Sequence, residues 1–170
     1  TTFRDDGVWW ARARVKASRD PFREALKLAA AGNIIDMGLN VSIGPEELFA
    51  SLEAAAEQEI VGDIDSLRAA VEEARSILYL LDNAGEIVFD KLVLELLPRE
   101  RVTAVVRGFP VLNDATMEDA VAAGVTDLVE VIDNGSGVPG IILEDCNHDF
   151  RRLFREADLV IAKGQGNFET

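Results

Sequence analysis

The spacing of apolar and polar residues divides the chain into two parts. Up to about residue 72, stretches rich in Ala, Leu and Glu are typical of helices. After that point, short and continuous apolar runs at 76–82, 101–108, 127–133 and 158–164 alternate with longer connections. Apolar runs of this length, rich in β-branched residues and separated by helical segments, indicate right-handed βαβ crossovers. The pattern therefore predicts an α/β fold with a parallel sheet covered on both faces.

Capping and turn residues predict the helix ends in the first part. Asp20, followed by proline, is a typical start, and Gly32 after LKLAAA predicts a helix end. Pro45 opens a second helix, and a third begins at Asp63 or Asp65. The glycine-punctuated segment after Gly32 is expected to be a loop or a helix end packed against another part of the chain. Its isolated polar residues are Asn33, Asp36 and Asn40.

The change of pattern near residue 72 gives the domain prediction. Residues 1–72 are predicted to form a helical N-terminal region, and residues 73–170 an α/β domain. Within this domain, Thr116 and Asp119 have the spacing of a capping box at the start of a short helix.

Each of the four apolar runs is followed by polar residues and glycines. In an open parallel sheet, ligands bind beyond the carboxyl ends of the strands, so these residues are the candidates for a site. One such cluster alone is more often a turn or a helix cap. In strand order, the residues are Asp82, Asn83, Gly85 and Glu86; Arg107, Gly108, Asn113 and Asp114; Asp133, Asn134, Gly135 and Ser136; and Lys163, Gly164, Gln165, Gly166 and Asn167.

Two of these clusters favour a site over plain turns. Asp82, Asn83 and Glu86 place three oxygen-bearing side chains within five residues, more than one helix cap uses. Carboxylate and amide oxygens suit magnesium or manganese better than zinc, so Asp82, Asn83 and Asp114 are candidate ligands of one divalent ion. Lys163 ends a strand that should be buried, where an ammonium group needs a negative partner. Lys163 is therefore the candidate anion partner.

Two other motifs carry less weight. The segment GSGVPG at 135–140 matches the dinucleotide-binding pattern G-x-G-x-x-G, but it follows the third strand, and Pro139 stands where a helix should open. Cys146 and His148 flank Asn147 just before a helix, where a capping or packing role is favoured over a nucleophile.

The composition excludes several classes of binding partner and site. The net charge of −14 argues against nucleic acid and anionic membranes, because both repel an acidic surface. The single cysteine cannot form an internal disulfide, and the single histidine cannot build a histidine-based metal site. The first residues do not have the pattern of a signal peptide, and no apolar run approaches the ~20 residues of a membrane span. The chain is expected to be cytoplasmic, with its oligomeric state left open.

The strand-end motifs resemble a known family. LLDNAGEIVFD, LNDATMEDA, DNGSGVPG and IAKGQGNFE, together with GNIIDMG nearer the N-terminus, are similar to the damage-control phosphatases, long catalogued as domain of unknown function 89. The resemblance runs from about residue 20 to the end. It implies a Rossmann-like α/β/α fold and a metal-dependent phosphatase of small phosphorylated metabolites, such as sugar phosphates or damaged cofactor intermediates. Mn²⁺ or Mg²⁺ is the expected cofactor, with Ni²⁺ or Co²⁺ as alternatives.

The resemblance also implies residue roles. Asp82, Asn83 and Asp114 would bind the metal. The residues themselves favour Asp82 as a ligand over a nucleophile, because enzymes that form an aspartyl-phosphate usually have a second aspartate two residues later, where this sequence has Ala84. Lys163, Gly166 and Asn167 would face the phosphate; Glu86, Asn113 and Ser136 would line the pocket. Asp82 and Lys163 are thus the expected catalytic residues. Family members continue past KGQGN, so the chain is expected to be a fragment of a longer protein.

Two alternative functions remain open. One is a nucleotide-cofactor-binding oxidoreductase or transferase that uses the GSGVPG loop. The other is a non-catalytic module that binds phosphorylated metabolites without turnover.

Overall fold

The computed structural model describes residues 3–39 and 45–170. Its helices are α1 (Phe3–Ala17), α2 (Pro21–Leu39), α3 (Pro45–Glu57), α4 (Ile64–Glu73), α5 (Ile87–Leu94), α6 (Met117–Ala123), α7 (His148–Glu156) and α8 (Gly164–Glu169). Its strands are β1 (Ile77–Leu80), β2 (Val102–Val106), β3 (Glu130–Asp133) and β4 (Leu159–Ala162). Two short 3₁₀ turns cover Arg99–Arg101 and Leu143–Asp145.

The four strands form one parallel sheet in the order β3-β2-β1-β4. The chain first proceeds from β1 to β2 and β3 on one side and then returns to place β4 on the other side of β1. The carboxyl ends of β1 and β4 therefore flank the point where the strand order reverses, the usual position of a ligand site in such sheets. The predicted α/β fold with a parallel sheet is confirmed.

Alternating side chains of the strands enter two separate cores. Ile77 and Tyr79 of β1 point into the larger core, which also contains residues of α1 to α6. Leu78 and Leu80 point into a smaller core with Phe150 of α7. Because both faces of β1 are covered, all four of its residues are buried, which explains its continuous apolar sequence.

Helix α2 corrects one prediction. Gly32 does not end the helix, which continues to Leu39. Gly32 lies where α2 packs on α5, and a Cβ atom added to it would come within 2.8 Å of the Glu86 Cβ and 3.2 Å of the Phe89 ring. This glycine permits a close approach of two helices, and the sequence pattern alone gives it the appearance of a helix stop. Asn40 lies outside the described residues.

Other helix ends follow the capping residues. Asp63, rather than Asp65, caps α4 by accepting a hydrogen bond from the Ser66 amide. Asp20 accepts from the Arg23 amide at the start of α2. Thr116 and its partner three residues later form the predicted capping box of α6. The short helix α8 was not predicted.

The larger core contains residues from both sides of the predicted domain boundary. Leu28 of α2 and Leu52 of α3 share it with Phe89 of α5. The division into 1–72 and 73–170 stays a prediction. None of the helices within residues 3–39 and 45–170 combines the length and the hydropathy needed to cross a membrane.

The α2–α5 contact can be tested by replacing Gly32 with alanine. Alanine favours a helix interior by about 1 kcal/mol over glycine. At this position, however, the added methyl group meets the Glu86 Cβ, an atom fixed to the backbone. We expect Gly32→Ala to lower the free energy of unfolding by ~1–2 kcal/mol, as overpacking does, in a urea titration.

Gly7 in α1 provides the matched control, because a Cβ there meets no atom within 4 Å. Gly7→Ala is expected to leave stability unchanged or raise it by up to about 1 kcal/mol. If both substitutions stabilise the protein equally, α2 and α5 are not in close contact at Gly32.

Candidate functional site

The segments after β1 and β2 pair with each other at the carboxyl edge of the sheet. The Ala115 amide donates to the carbonyl of Asp82 at 2.7 Å, and the Ala84 amide donates to the carbonyl of Asn113 at 2.8 Å. Between these two bonds, Asn83 and Asp114 form an antiparallel bridge. The pairing brings Asp82, Asn83 and Asp114 to adjacent positions although 28 residues, 85–112, separate the two segments.

The carboxylate of Asp82 lies against the start of α8. Gly164 has a φ of +81°, and a Cβ atom built on it would overlap the Asp82 carboxylate. Glycine is therefore required here both by backbone conformation and by space. Asp82 is buried, and burial, reinforced by the charge of Asp114, raises the pKa of Asp82 to about 6, from its usual 3.8.

Asp114 forms a buried ion pair with Arg107, the residue after β2. The Arg107 Nε donates to Asp114 Oδ2 at 2.6 Å, and its Nη2 donates to Asn167 Oδ1 at 2.9 Å. The side chains of Arg107 and Asp114 are 3% and 8% exposed, so solvent screens this pair little. One guanidinium group thus contacts the segment after β2 and helix α8.

Lys163, at the end of β4, points toward α5 and α2. Its Nζ donates to Glu86 Oε2 at 3.0 Å, to Asp90 Oδ1 at 2.9 Å and to the carbonyl of Ala29 at 3.2 Å. These three acceptors match the three N–H bonds of an ammonium group. Burial alone would lower the pKa of Lys163, but the charges of Asp90 and Glu86 raise it above its usual value.

The two carboxylates around Lys163 make further contacts. Glu86 is fully buried, and its Oε1 accepts from the Asn83 amide at 3.2 Å. Burial raises the pKa of Glu86 to about 7, although Lys163 opposes this shift. Asp90 Oδ1 also accepts from the Tyr79 hydroxyl at 2.7 Å, while its Oδ2 is buried without a hydrogen-bond partner in the described part of the chain.

Asn167 uses its whole side-chain amide within the protein. Besides accepting from Arg107, it donates through Nδ2 to the carbonyls of Leu81 at 3.2 Å and Lys163 at 2.8 Å. These bonds attach α8 to the ends of β1 and β4.

The loop after β3 lies beside the same edge of the sheet. A Cβ atom added to Gly108 would overlap the backbone of Gly135, so the chain segments after β2 and β3 touch backbone to backbone. Ser136 is buried, and its hydroxyl accepts from the Val138 amide. The GSGVPG segment continues into a 3₁₀ turn and not into a helix, so it lacks the strand–loop–helix geometry of the dinucleotide pattern.

The buried charges at this edge do not balance. Among the side chains that the structure describes, four carboxylates face two cations, an excess of two negative charges. The groups are Asp82, Glu86, Asp90, Asp114, Arg107 and Lys163.

The donor set fits a hard divalent ion. Within residues 3–39 and 45–170, no group of three or more His, Cys, Asp and Glu side chains is arranged to hold a metal ion. Asp82 and Asp114 supply only two carboxylates, so a site here needs the amide oxygen of Asn83 as its third ligand. Such oxygen-only sets are those that bind Mg²⁺ and Mn²⁺.

The model of the damage-control phosphatase ARMT1-like domain matches residues 7–170. The chain belongs to this family. Among curated relatives, a protein named damage-control phosphatase from Archaeoglobus fulgidus is 39% identical over 162 residues, which cover 94% of this chain and 56% of the relative. A damage-control phosphatase from Pyrococcus horikoshii is 40% identical over 154 residues, which cover 88% and 53%.

A solved structure supports the fold of this damage-control phosphatase family member. The crystal structure of a DUF89 family protein from Pyrococcus horikoshii superposes with a TM-score of 0.83 at 35% identity, covering 99% of this chain and 60% of that one. The chain thus spans about half the length of the curated relatives that it matches.

The structure brings most of the predicted site residues to one edge of the sheet. Asp82, Asn83 and Asp114 are adjacent, and Asn113 is in the same pair of segments. Gly166 is in α8, where its carbonyl accepts from Thr170. Lys163 has the negative partners that were predicted, but they are Glu86 and Asp90 of the same chain. The predicted roles in metal and phosphate binding stay predictions.

Sequence reasoning missed Asp90 and left Arg107 without a role. One signal was available for Asp90. Glu86 and Asp90 are four residues apart, so they share one face of a helix whose remaining residues, apart from Lys91, are apolar; charges on a buried face are unexpected unless they meet a cation.

The Lys163 cluster can be tested by removing its cation. Lys163→Met leaves Glu86 and Asp90 buried without their cation, so we expect a loss of ~3–5 kcal/mol of stability, or roughly 10 °C in a calorimetric melt. Arg152→Met is the control, because it removes the exposed pair with Glu156 and should cost under about 0.5 kcal/mol. Equal melting temperatures for the two variants would show that Lys163 is not held by these carboxylates.

The raised pKa of Asp82 predicts how stability depends on pH in the metal-free protein. A carboxyl group whose pKa is higher in the folded state contributes its stability at low pH and loses it as pH rises through the folded pKa. Between pH 4 and 7, wild type should therefore lose ~3 kcal/mol relative to Asp82→Asn, whose amide stays neutral. Urea titrations across this range, with a chelator present, measure the difference; parallel profiles would contradict it.

Proposed function

We propose that this protein is a metal-dependent phosphatase that hydrolyses small phosphorylated metabolites. Membership of the damage-control phosphatase family and the names of the curated relatives support the phosphatase part. Sugar phosphates or damaged cofactor intermediates are the substrate classes that fit. The cytoplasm is the proposed location, and Mn²⁺ or Mg²⁺ is the proposed cofactor.

The observation that carries the metal dependence is the excess of two buried negative charges. Burying an unbalanced charge is costly, and a carboxylate in that position responds by a rise in pKa, as Asp82 does. One divalent cation between Asp82 and Asp114 would balance the charges and favour the ionised form of Asp82.

Asp82, Asn83 and Asp114 are the proposed ligands. The antiparallel bridge between Asn83 and Asp114 fixes the backbone of these two ligands. The backbone amide of Asn83 also donates a hydrogen bond to Glu86. When bound, the ion would neutralise phosphate charge and lower the pKa of a water molecule that attacks phosphorus. Asp82 accordingly serves as a ligand, and its carboxylate forms no covalent bond to phosphate.

The proposed phosphate contact of Lys163 carries a condition. All three of its N–H bonds are directed to protein acceptors, so a phosphate oxygen would have to replace one of them. Asn167 is constrained in the same way by its bonds to Arg107, Leu81 and the Lys163 carbonyl. Backbone amides near Gly166 and the side chains of Asn113 and Ser136 remain as the other proposed contacts.

The alternatives are less well supported. A nucleotide-binding oxidoreductase or transferase would need the GSGVPG loop to open a helix, and it leads into a 3₁₀ turn. A non-catalytic metabolite-binding module has the same charge cluster and is separated from a phosphatase only by turnover.

The proposal is tested by metal titration and by hydrolysis of p-nitrophenyl phosphate. We expect calorimetry to detect one Mn²⁺ per chain, and Mn²⁺ at 100 times its dissociation constant to raise stability by about 2.7 kcal/mol. Hydrolysis should require the metal, and Asp82→Ala should abolish both binding and turnover.

Asp149→Ala is the matched control, because this aspartate is 84% exposed in α7. It should bind Mn²⁺ as wild type does. Full hydrolysis in the presence of a chelator would overturn the metal dependence. Tight binding of a sugar phosphate with metal present but no turnover would favour the non-catalytic module.

A further inference from the structure

Arg107 is a buried cation that connects three parts of the candidate site. It follows β2, its Nε contacts Asp114, and its Nη2 contacts Asn167 in α8. We propose that Arg107 is a positioning residue, which fixes Asp114 and α8 in the arrangement that a divalent ion requires. The metal-binding part of this inference rests on the proposed function above.

Both the backbone and the side chain of Arg107 contact the segment 114–116. The Arg107 amide donates to the carbonyl of Ala115 at 2.9 Å, and Arg107 forms a parallel bridge with Thr116. The side chain adds the 2.6 Å bond to Asp114. Two attachments, one through the backbone and one through the carboxylate, fix both the position of the segment and the orientation of the ligand side chain.

The contact of Arg107 with Asn167 also constrains the backbone next to Asp82. Asn167 accepts from Arg107 and donates to the carbonyl of Leu81, the residue before Asp82. It also donates to the carbonyl of Lys163, just before the glycine that contacts the Asp82 carboxylate. Arg107 is therefore one bond from Asp114 and two bonds from the backbone that carries Asp82.

The chemistry of a guanidinium group suits this role better than that of an ammonium group. Its N–H donors lie in one plane with fixed directions, so bonds to Asp114 and Asn167 set the relative placement of both acceptors. The bond from Arg107 is made to Oδ2 of Asp114, which leaves Arg107 without a contact to Oδ1. That oxygen is the one we assign to the ion. With 3% of its side chain exposed, Arg107 acts through these two neighbours.

The test compares Arg107→Met, Arg107→Lys and wild type by two measurements. Hydrogen exchange without metal measures how well the backbone amides of residues 113–116 and 164–169 are protected. Calorimetry measures the Mn²⁺ dissociation constant. For both variants we expect at least about tenfold faster exchange in both segments and a Mn²⁺ affinity weaker by about 10- to 100-fold, as for other residues that orient metal ligands. Lysine keeps the charge but cannot reproduce two bonds in fixed directions, so it should not rescue either property.

Two controls separate positioning from loss of stability and from charge. Phe150→Leu weakens the smaller core and should lower stability while leaving the Mn²⁺ affinity unchanged. Arg75→Met removes a positive charge that is 91% exposed, at the amino end of β1, and should change neither measurement.

Asn167→Ala removes the bonds that join Arg107 to Leu81 and Lys163 and keeps the bond between Arg107 and Asp114. It should therefore speed exchange in 164–169 and leave 113–116 protected.

Each outcome decides the proposal. Wild-type behaviour of Arg107→Lys would show that only the charge matters and would overturn it, as would unchanged or tighter Mn²⁺ binding by Arg107→Met. If Arg107→Met does not fold, Arg107→Lys carries the same test. If wild type itself binds no Mn²⁺, the proposed function fails; unchanged exchange in the variants then overturns the positioning role, and faster exchange in both segments upholds it.

Discussion

An ammonium group held between two buried carboxylates connects the helical layer of this protein to its sheet. Lys163 follows β4, Glu86 is the N-cap residue of α5 and Asp90 lies in its first turn, and the third acceptor is a carbonyl of α2. Since a buried charge without a partner is costly, none of these elements can move away from the others freely. The same cluster contacts the candidate metal site, because Glu86 accepts a hydrogen bond from the backbone amide of Asn83. The geometry of the site therefore depends on the packing of helices that carry none of its proposed ligands.

The charge excess relates folding to ligand binding. The buried charged groups at this edge of the sheet hold more negative charge than Arg107 and Lys163 balance. Burial raises the pKa values of Asp82 and Glu86, and a neighbouring carboxylate, Asp114 for Asp82 and Asp90 for Glu86, adds to each shift. A bound divalent cation would remove part of the desolvation cost that the fold otherwise carries. Metal affinity and stability are then two measures of the same free energy, so each should change with pH through the same carboxyl groups.

The sequence was sufficient to predict the sheet because the signals for it are local. Each strand is a short apolar run, and Asp63 and Thr116 cap helices through bonds within three residues. Gly32 was misjudged because the reason for a glycine there is a helix more than 50 residues away in sequence. Contacts of this kind leave no periodic pattern, so only the three-dimensional packing shows them.

The same distinction applies to the candidate site. Residue types at strand ends were enough to locate Asp82, Asn83 and Asp114 at one edge of a parallel sheet, since the carboxyl ends of parallel strands meet there. They were not enough to assign partners to the cations. Lys163 is bound to carboxylates of its own chain, and Arg107 is bound to Asp114 and Asn167.

Helix α8 shows why motif residues and ligand contacts need not coincide. Gly164 makes room for the Asp82 carboxylate, and Asn167 joins Arg107 to the end of β1. Both residues lie within KGQGN, and both are explained by contacts inside the protein. A substitution in this segment alters the fold and the site together, so a loss of activity alone cannot identify a substrate contact. Only variants that match in stability and differ in one bond can separate the two effects.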